Sequence, residues 1–153
     1  MRAPEASLAD FRTFMSALPR QTAGVVPFEP RALEGKVVLV TFVATWCFPC
    51  LTELVVLQRL ERDHAARGFA NVLVGMDLEG RAVLDPFVEG YKITSPLVVA
   101  DDRLRAGETV FGRIRELPSR VLFARSGEVV VGFAGLSRYE DLDALVVREL
   151  DKR

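Results

Sequence analysis

Hydrophobic positions along the chain fall into short continuous runs that alternate with segments of helical spacing. Residues 37–44 form the strongest run, almost entirely apolar and rich in β-branched side chains, which is typical of a strand covered on both faces. Residues 47–67 then carry leucine and valine at near-helical intervals before Gly68, which predicts a helix and its end. The pattern repeats with a strand at residues 69–78 and a helix at residues 81–91.

Weaker signals flank these elements. Apolar residues at helical spacing predict a short amphipathic helix that Pro19 ends, and Val25-Val26 permits a short strand after it. Pro86 is compatible with the second long helix only in its first turn, where a missing N–H does little harm. The apolar set of the first helix is Leu8, Phe11, Phe14, Met15 and Leu18.

The second half of the chain predicts shorter strands. The apolar run at residues 96–100 predicts one strand, and the acidic pair at residues 101–102 can open a helical turn that continues as far as Arg115. Residues 125–127, with the sequence Arg-Ser-Gly, separate two apolar runs and predict a hairpin, because glycine tolerates positive φ. Residues 138–150 predict a final helix. This order of elements indicates one α/β sandwich with a mixed sheet.

Composition and charge mainly exclude classes of protein. A chain of 153 residues with 50% hydrophobic and 27% charged residues suits one globular domain, and the net charge of −1 gives no bias toward nucleic acid or an anionic membrane. The longest apolar stretch is far below the ~20 residues of a membrane-spanning helix. Residues 1–20 lack the pattern of a secretory signal, so we expect either a cytoplasmic protein or one whose leader has been removed.

Both cysteines lie in the sequence Trp46-Cys47-Phe48-Pro49-Cys50, directly after the strongest strand. If Cys47 lies at the helix N-terminus, free backbone N–H groups and the helix dipole favour its thiolate and lower its pKa from about 8.5 to a value of about 3.5–7.5. We therefore predict that Cys47 is a nucleophile. Cys50, about one turn further on, would resolve the mixed disulfide that Cys47 forms.

The order of elements, this motif and the Leu117-Pro118 step before the hairpin together resemble the thioredoxin fold over residues 35–150. Residues 35–47 are similar in particular to the TlpA/ResA branch of thiol-disulfide oxidoreductases. The resemblance implies a domain at residues 35–153 with an extension at residues 1–34 packed on it.

The same resemblance implies partners and a compartment. It suggests a monomer without a cofactor that exchanges its dithiol or disulfide with protein substrates and with an upstream redox partner. The resemblance favours a reductant over an oxidant. Members of this branch act in the cell envelope on apocytochromes or other clients, so we expect a periplasmic or envelope protein whose leader was removed. The direction of electron flow and the substrate do not follow from the residues.

Further site residues follow from the resemblance. It implies a cis bond before Pro118 and a Leu117 backbone that receives an extended substrate as an added strand. We expect Trp46 to form a wall beside the sulfur, with Phe48 and Pro49 shaping the substrate surface. Phe42, Phe123 and Phe133 are expected in the core.

A proton acceptor for Cys50 is less obvious. Thr41 occupies the position of the buried aspartate of thioredoxins, and it cannot ionise. Glu53 lies one turn after Cys50 and matches a glutamate of ResA-like proteins, so we predict that it transfers the proton. The alternative is a solvated acid that stabilises the start of the helix.

Two other classes of function use the same cysteines. A metal-binding protein or metallochaperone could hold an ion with these thiolates, possibly across a dimer, but His64 is the only histidine and is expected on an exposed helix face, so no metal ligand is assigned within one chain. A static disulfide clasp would close too short a loop to stabilise the fold much.

Overall fold

The computed structural model describes residues 4–152, with side chains described from Asp10 onward. This part of the chain forms six α-helices, one 3₁₀ helix (Ala65–Arg67) and six strands, and helices alternate with strands except that the last two strands are consecutive. The strands are β1 (Thr22–Ala23), β2 (Val37–Val43), β3 (Phe69–Gly75), β4 (Leu97–Val99), β5 (Ser119–Phe123) and β6 (Val129–Ala134). The helices are α1 (Pro4–Ser16), α2 (Pro30–Leu33), α3 (Phe48–His64), α4 (Arg81–Gly90), α5 (Asp102–Arg105) and α6 (Tyr139–Asp151).

The strands form one mixed sheet in the order β1-β4-β3-β2-β5-β6. β2 lies inside the sheet, parallel to β3 and antiparallel to β5, and all seven of its residues are buried. The β5–β6 pair is the predicted hairpin, with Gly127 at a φ of 93° in its turn. The prediction of a mixed sheet flanked by helices is confirmed, and β2 is the doubly covered strand that its apolar run indicated.

Each face of the sheet carries its own helices and its own core. One face packs against α3, α4 and α6, and the other against α1, α2 and α5. Alternate residues of β2 contribute to the two cores, because successive side chains of a strand point to opposite faces. Phe42 and Phe123 are fully buried, as predicted, and Phe133 is half-buried against the first core.

The predicted N-terminal helix is confirmed as α1. Phe11 and Met15 are buried in the second core, and the Phe11 ring meets the Phe123 ring edge to face at 5.6 Å. The Leu8 side chain lies outside the described residues. The division into an extension at residues 1–34 and a domain at residues 35–153 stays a prediction.

Two of the weaker element predictions are wrong. The first short strand lies at Thr22–Ala23, where Thr22 pairs with Val98, whereas Val25 is 95% exposed. The helical turn that Asp101 caps ends at Arg105 instead of Arg115, since Gly107 adopts a φ of 79° that ends helical geometry.

Pro86 lies in the interior of α4, beyond its first turn. We expected Pro86 to be harmless only in the first turn of this helix, and that expectation is wrong. Burial of Leu84, Phe87 and Val88 against the first core stabilises the helix despite the missing N–H.

Candidate active site

The end of β2 positions the two cysteines. Thr45 follows β2, and its backbone N–H and hydroxyl both donate to the buried carboxylate of Asp77, the hydroxyl at 2.6 Å. Cys47 then caps α3, and its Sγ accepts a hydrogen bond from the Cys50 N–H at 3.1 Å. Cys47 therefore lies at the N-terminus of a 17-residue helix, as predicted.

Cys47 and Cys50 are joined by a disulfide across one helical turn, with their Cα atoms 5.3 Å apart. In the reduced protein, the N–H groups and dipole at this helix end would stabilise a Cys47 thiolate. Cys50 is buried more deeply, at 1% exposure against 5% for Cys47. Both side chains are largely buried, but Cys47 lines an open groove and Cys50 does not, which suits a nucleophile with a resolving thiol behind it.

A groove of about 590 Å³ opens beside Cys47. Trp46 and Phe48 are 69% and 82% exposed at its edge, so two large apolar side chains face solvent next to the sulfur. The Leu117-Pro118 bond is cis, as the resemblance implied, and Leu117 lines the groove. The remaining lining residues are Pro49, Met76, Arg105, Ile114 and Arg115.

The structure thus places five of the predicted residues together, namely Trp46, Cys47, Phe48, Pro49 and Leu117. Pro118 is buried behind them, and its carbonyl accepts a hydrogen bond from Gly135 N–H at 2.9 Å.

Glu53 is fully buried on the inner face of α3. Its Oε2 lies 2.6 Å from Nη2 of Arg120, and its Oε1 accepts from the Ser137 N–H at 3.1 Å. Burial raises the pKa of Glu53 above its usual value, while the Arg120 charge and the Ser137 hydrogen bond act to lower it. The alternative interpretation of Glu53 as a solvated acid is therefore wrong.

Sequence reasoning missed two residues that organise the site. Arg120 begins an otherwise apolar run, and a lone cation in such a run is a signal for a buried ion pair. Asp77 follows a buried parallel strand, at the same edge of the sheet where the cysteines lie. Acidic residues at that position are candidates for site residues, because parallel strands end together.

His64 lies at the opposite end of α3 from the cysteines, and its predicted exposure is wrong. Only 12% of its side chain is exposed, and its Nε2 lies 2.5 Å from Oδ1 of Asp143 on α6. Contact between α3 and α6 covers a position that local spacing assigned to solvent. Among the side chains that the structure describes, from Asp10 to Lys152, no three His, Cys, Asp or Glu residues are grouped so as to hold a metal ion.

The fold and the cysteine pair define a thioredoxin-like protein. The chain belongs to the AhpC/TSA family, since a model of that family matches residues 6–130. Among curated proteins, it is 32% identical over 111 residues to the thiol-disulfide oxidoreductase ResA of Oceanobacillus iheyensis, covering 71% of this chain and 56% of the relative. ResA of Bacillus thuringiensis is 30% identical, with 75% of this chain and 64% of the relative covered.

Solved structures support the same fold. A thiol:disulfide interchange protein from Chlorobium tepidum superposes with a TM-score of 0.71 at 27% identity, over 86% of this chain and 97% of the other. StoA from Bacillus subtilis superposes with a TM-score of 0.60 at 24% identity, over 72% of this chain and 82% of the other. The thioredoxin fold and the resemblance to ResA-type proteins are confirmed.

The match to the curated relatives is partial in length. This chain spans 56–64% of the three ResA proteins from Oceanobacillus, Halalkalibacterium and Bacillus thuringiensis. In the part of the chain that the structure describes, no helix has the length and apolarity to cross a membrane.

Proposed function

We propose that the protein is a thiol-disulfide oxidoreductase that exchanges its Cys47–Cys50 pair with protein substrates. The observation that carries the proposal is the position of Cys47, which caps a long helix and lines an open groove with Cys50 one turn behind it. The names of the ResA relatives support the same chemistry.

In the reducing direction, the Cys47 thiolate attacks one sulfur of a substrate disulfide. The substrate S–S bond breaks, a mixed disulfide forms on Cys47, and the other substrate sulfur leaves with the electron pair. Cys50 then attacks Cys47 Sγ, which releases the second substrate sulfur and closes the Cys47–Cys50 disulfide. The substrate gains two electrons, and the protein loses two.

Cys50 must lose a proton before it attacks. Glu53 lies one helical turn away on the same buried side of α3, and we assign it as the acceptor. Burial raises the pKa of Glu53 above that of a free carboxyl, so its carboxylate binds a proton more tightly than a solvated one, which suits a proton acceptor.

The groove provides the substrate surface. Exposed Trp46 and Phe48 give apolar contact area in the same groove that Leu117 lines. An extended substrate would pair with the backbone at Leu117, before Pro118, as an added strand. All of these groups come from one chain, so one chain suffices as the working unit.

We assign the reducing direction by analogy with the ResA-like branch that the sequence resembles. Each reducing turnover leaves Cys47 and Cys50 oxidised. An upstream dithiol partner must therefore return two electrons to the pair.

The test is disulfide reduction of insulin with dithiothreitol as the electron source, compared among wild type, Cys47→Ser and Cys50→Ser. We expect both variants to lose turnover. When each variant is reduced first and then mixed with insulin after dithiothreitol has been removed, only Cys50→Ser should accumulate a mixed disulfide that survives denaturing electrophoresis without reductant. A mixed disulfide that accumulates in Cys47→Ser instead would assign the nucleophile to Cys50 and overturn the proposed mechanism.

A further inference from the structure

A fully buried ion pair lies one turn below the cysteines. Glu53 comes from α3 and Arg120 from β5, both side chains have 0% exposure, and their charged atoms are 2.6 Å apart. Burying two charges is costly, and such a pair is weak evidence for stability by itself. Because the Glu53–Arg120 pair lies one helical turn from the resolving cysteine, we consider a role for it in catalysis.

Arg120 also contacts the loop after β6. Its Nη1 donates to the Ser137 hydroxyl at 2.9 Å and its Nη2 to the Gly135 carbonyl at 2.8 Å, while Ser137 N–H donates to Glu53. Glu53, Arg120 and Ser137 thus form a closed ring of contacts. Because Gly135 N–H donates to Pro118, this ring is connected to the segment that borders the groove.

The acidic partner of Arg120 lies on helix α3, and the neighbouring strand β2 provides no acidic partner. Thr41 of β2 is the residue paired with Arg120 across the sheet, so the two side chains share a face. Thr41 is fully buried, and its hydroxyl has no hydrogen-bond partner among residues 4–152. The carboxylate of Glu53 is therefore the anion that compensates Arg120.

We propose that Arg120 is a positioning residue that holds Glu53 as a carboxylate one turn from Cys50, ready to accept the Cys50 proton. This inference rests on the proposed function. In the step concerned, the Cys50 S–H bond breaks and the proton passes to Glu53, while the Cys50 sulfur bonds to Cys47 Sγ. The substrate sulfur leaves with the electron pair and takes up a proton from Glu53 or solvent.

The guanidinium of Arg120 on β5 and the N–H of Ser137 after β6 contact the Glu53 carboxyl directly. Two further groups belong to neighbouring positions: Thr41 on β2 shares a sheet face with Arg120, and Cys50 lies one helical turn before Glu53 on α3. Arg120 is the one full positive charge in this set. Removing that charge should raise the affinity of Glu53 for its proton and shift the resolving step to higher pH.

The experiment follows the reduced protein with Ellman's disulfide by stopped flow across about pH 5–9, a range that begins above the ordinary pKa of a carboxyl. Attack by Cys47 releases the first thionitrobenzoate, and attack by Cys50 releases the second. We expect Arg120→Met to shift the pH midpoint of the second phase upward by at least about one unit, which slows that phase about tenfold at a fixed pH below the midpoint. Arg120→Lys keeps the charge and should keep the midpoint.

A matched control is Arg125→Met. Arg125 is half-buried, and its guanidinium donates to the carbonyls of Arg67 and Leu150 at the other end of the sheet from the cysteines. We expect this variant to lose stability without any shift of the second phase. Glu53→Gln should abolish the pH dependence that the shift reports.

If Arg120→Met does not fold, the double variant Glu53→Gln with Arg120→Met removes both charges, and it should show a slow second phase without the wild-type midpoint. The inference is overturned if either the single or the double variant keeps the wild-type pH profile. A wild-type protein that releases no second thionitrobenzoate would instead overturn the proposed function, so the two failures are distinguishable.

Discussion

A carboxylate pairs with a basic side chain near each end of helix α3, and the pKa values of the two carboxylates shift in opposite directions. At the N-terminal end, Glu53 pairs with Arg120 out of contact with solvent, and burial raises its pKa. At the C-terminal end, Asp143 of α6 pairs with His64 while its side chain remains 31% exposed, and the His64 hydrogen bond lowers its pKa. The direction of the pKa shift therefore follows the degree of burial: desolvation outweighs the partner at Glu53, and the partner outweighs desolvation at Asp143.

The opposite directions have opposite consequences for stability. A raised carboxyl pKa means that the folded state holds its proton more tightly, so burial of Glu53 costs stability as the pH rises above its ordinary value of 4.5. A lowered pKa means that Asp143 contributes stability above its ordinary value of 3.8, and this is lost as the pH falls through the lowered value. The first pair suits proton transfer, and the second suits attachment of α6 to α3.

The largest predicted effect comes from breaking the buried pair. Arg120→Met leaves the Glu53 carboxylate uncompensated and should destabilise the fold by about 3–5 kcal/mol in urea unfolding at pH 7. The double variant Glu53→Gln with Arg120→Met removes both charges and should lose much less. Equal losses in the single and double variants would mean that Arg120 stabilises through packing, and that its charge is not what the fold requires.

A smaller effect is expected at the partly exposed pair. Asp143→Asn replaces the carboxylate that contacts His64 and accepts from the Tyr139 hydroxyl by a neutral amide, a weaker acceptor, and should cost about 1 kcal/mol at pH 7. Because the pKa of Asp143 is lowered, the difference from wild type should shrink as the pH falls below 3.8. Unfolding curves measured at several pH values test this, and a difference that grows on acidification would contradict the assigned direction.

The smallest effect is predicted for an ion pair on the surface. Arg67 and Asp151 lie 2.6 Å apart, but their side chains are 45% and 61% exposed. Asp151→Asn should change stability by less than about 1 kcal/mol, and added salt should remove the difference. A loss as large as that of Asp143→Asn would show that exposure does not rank these pairs.

The parts of the fold that sequence predicted are those in which local pattern and packing agree. The apolar run of β2 and the leucine spacing of α3 place the cysteine motif at a strand-to-helix turn, and the structure confirms both elements. The short β1 could not be located, because its position depends on pairing between Thr22 and Val98, far apart in the sequence.

In the candidate site, too, sequence predicted the features that depend on local spacing and missed those that depend on distant contacts. Cys47 and Cys50 are recognisable from their spacing, because residues three positions apart at the start of a helix lie about one turn from each other and are therefore close. The environment of Glu53 is not local: its partners come from β5 and from the loop after β6, 67 and 84 residues further along the chain. The same applies to His64, which α6 covers from 79 residues away.

The central claim is that the N-terminus of α3 activates Cys47. The most direct measurement is the thiolate absorbance of the reduced protein as a function of pH, with Cys50→Ser to assign the lower midpoint to Cys47. The account predicts a midpoint for Cys47 at or below about 7.5. A lowest midpoint above about 8.5, the value of an ordinary cysteine, would contradict it.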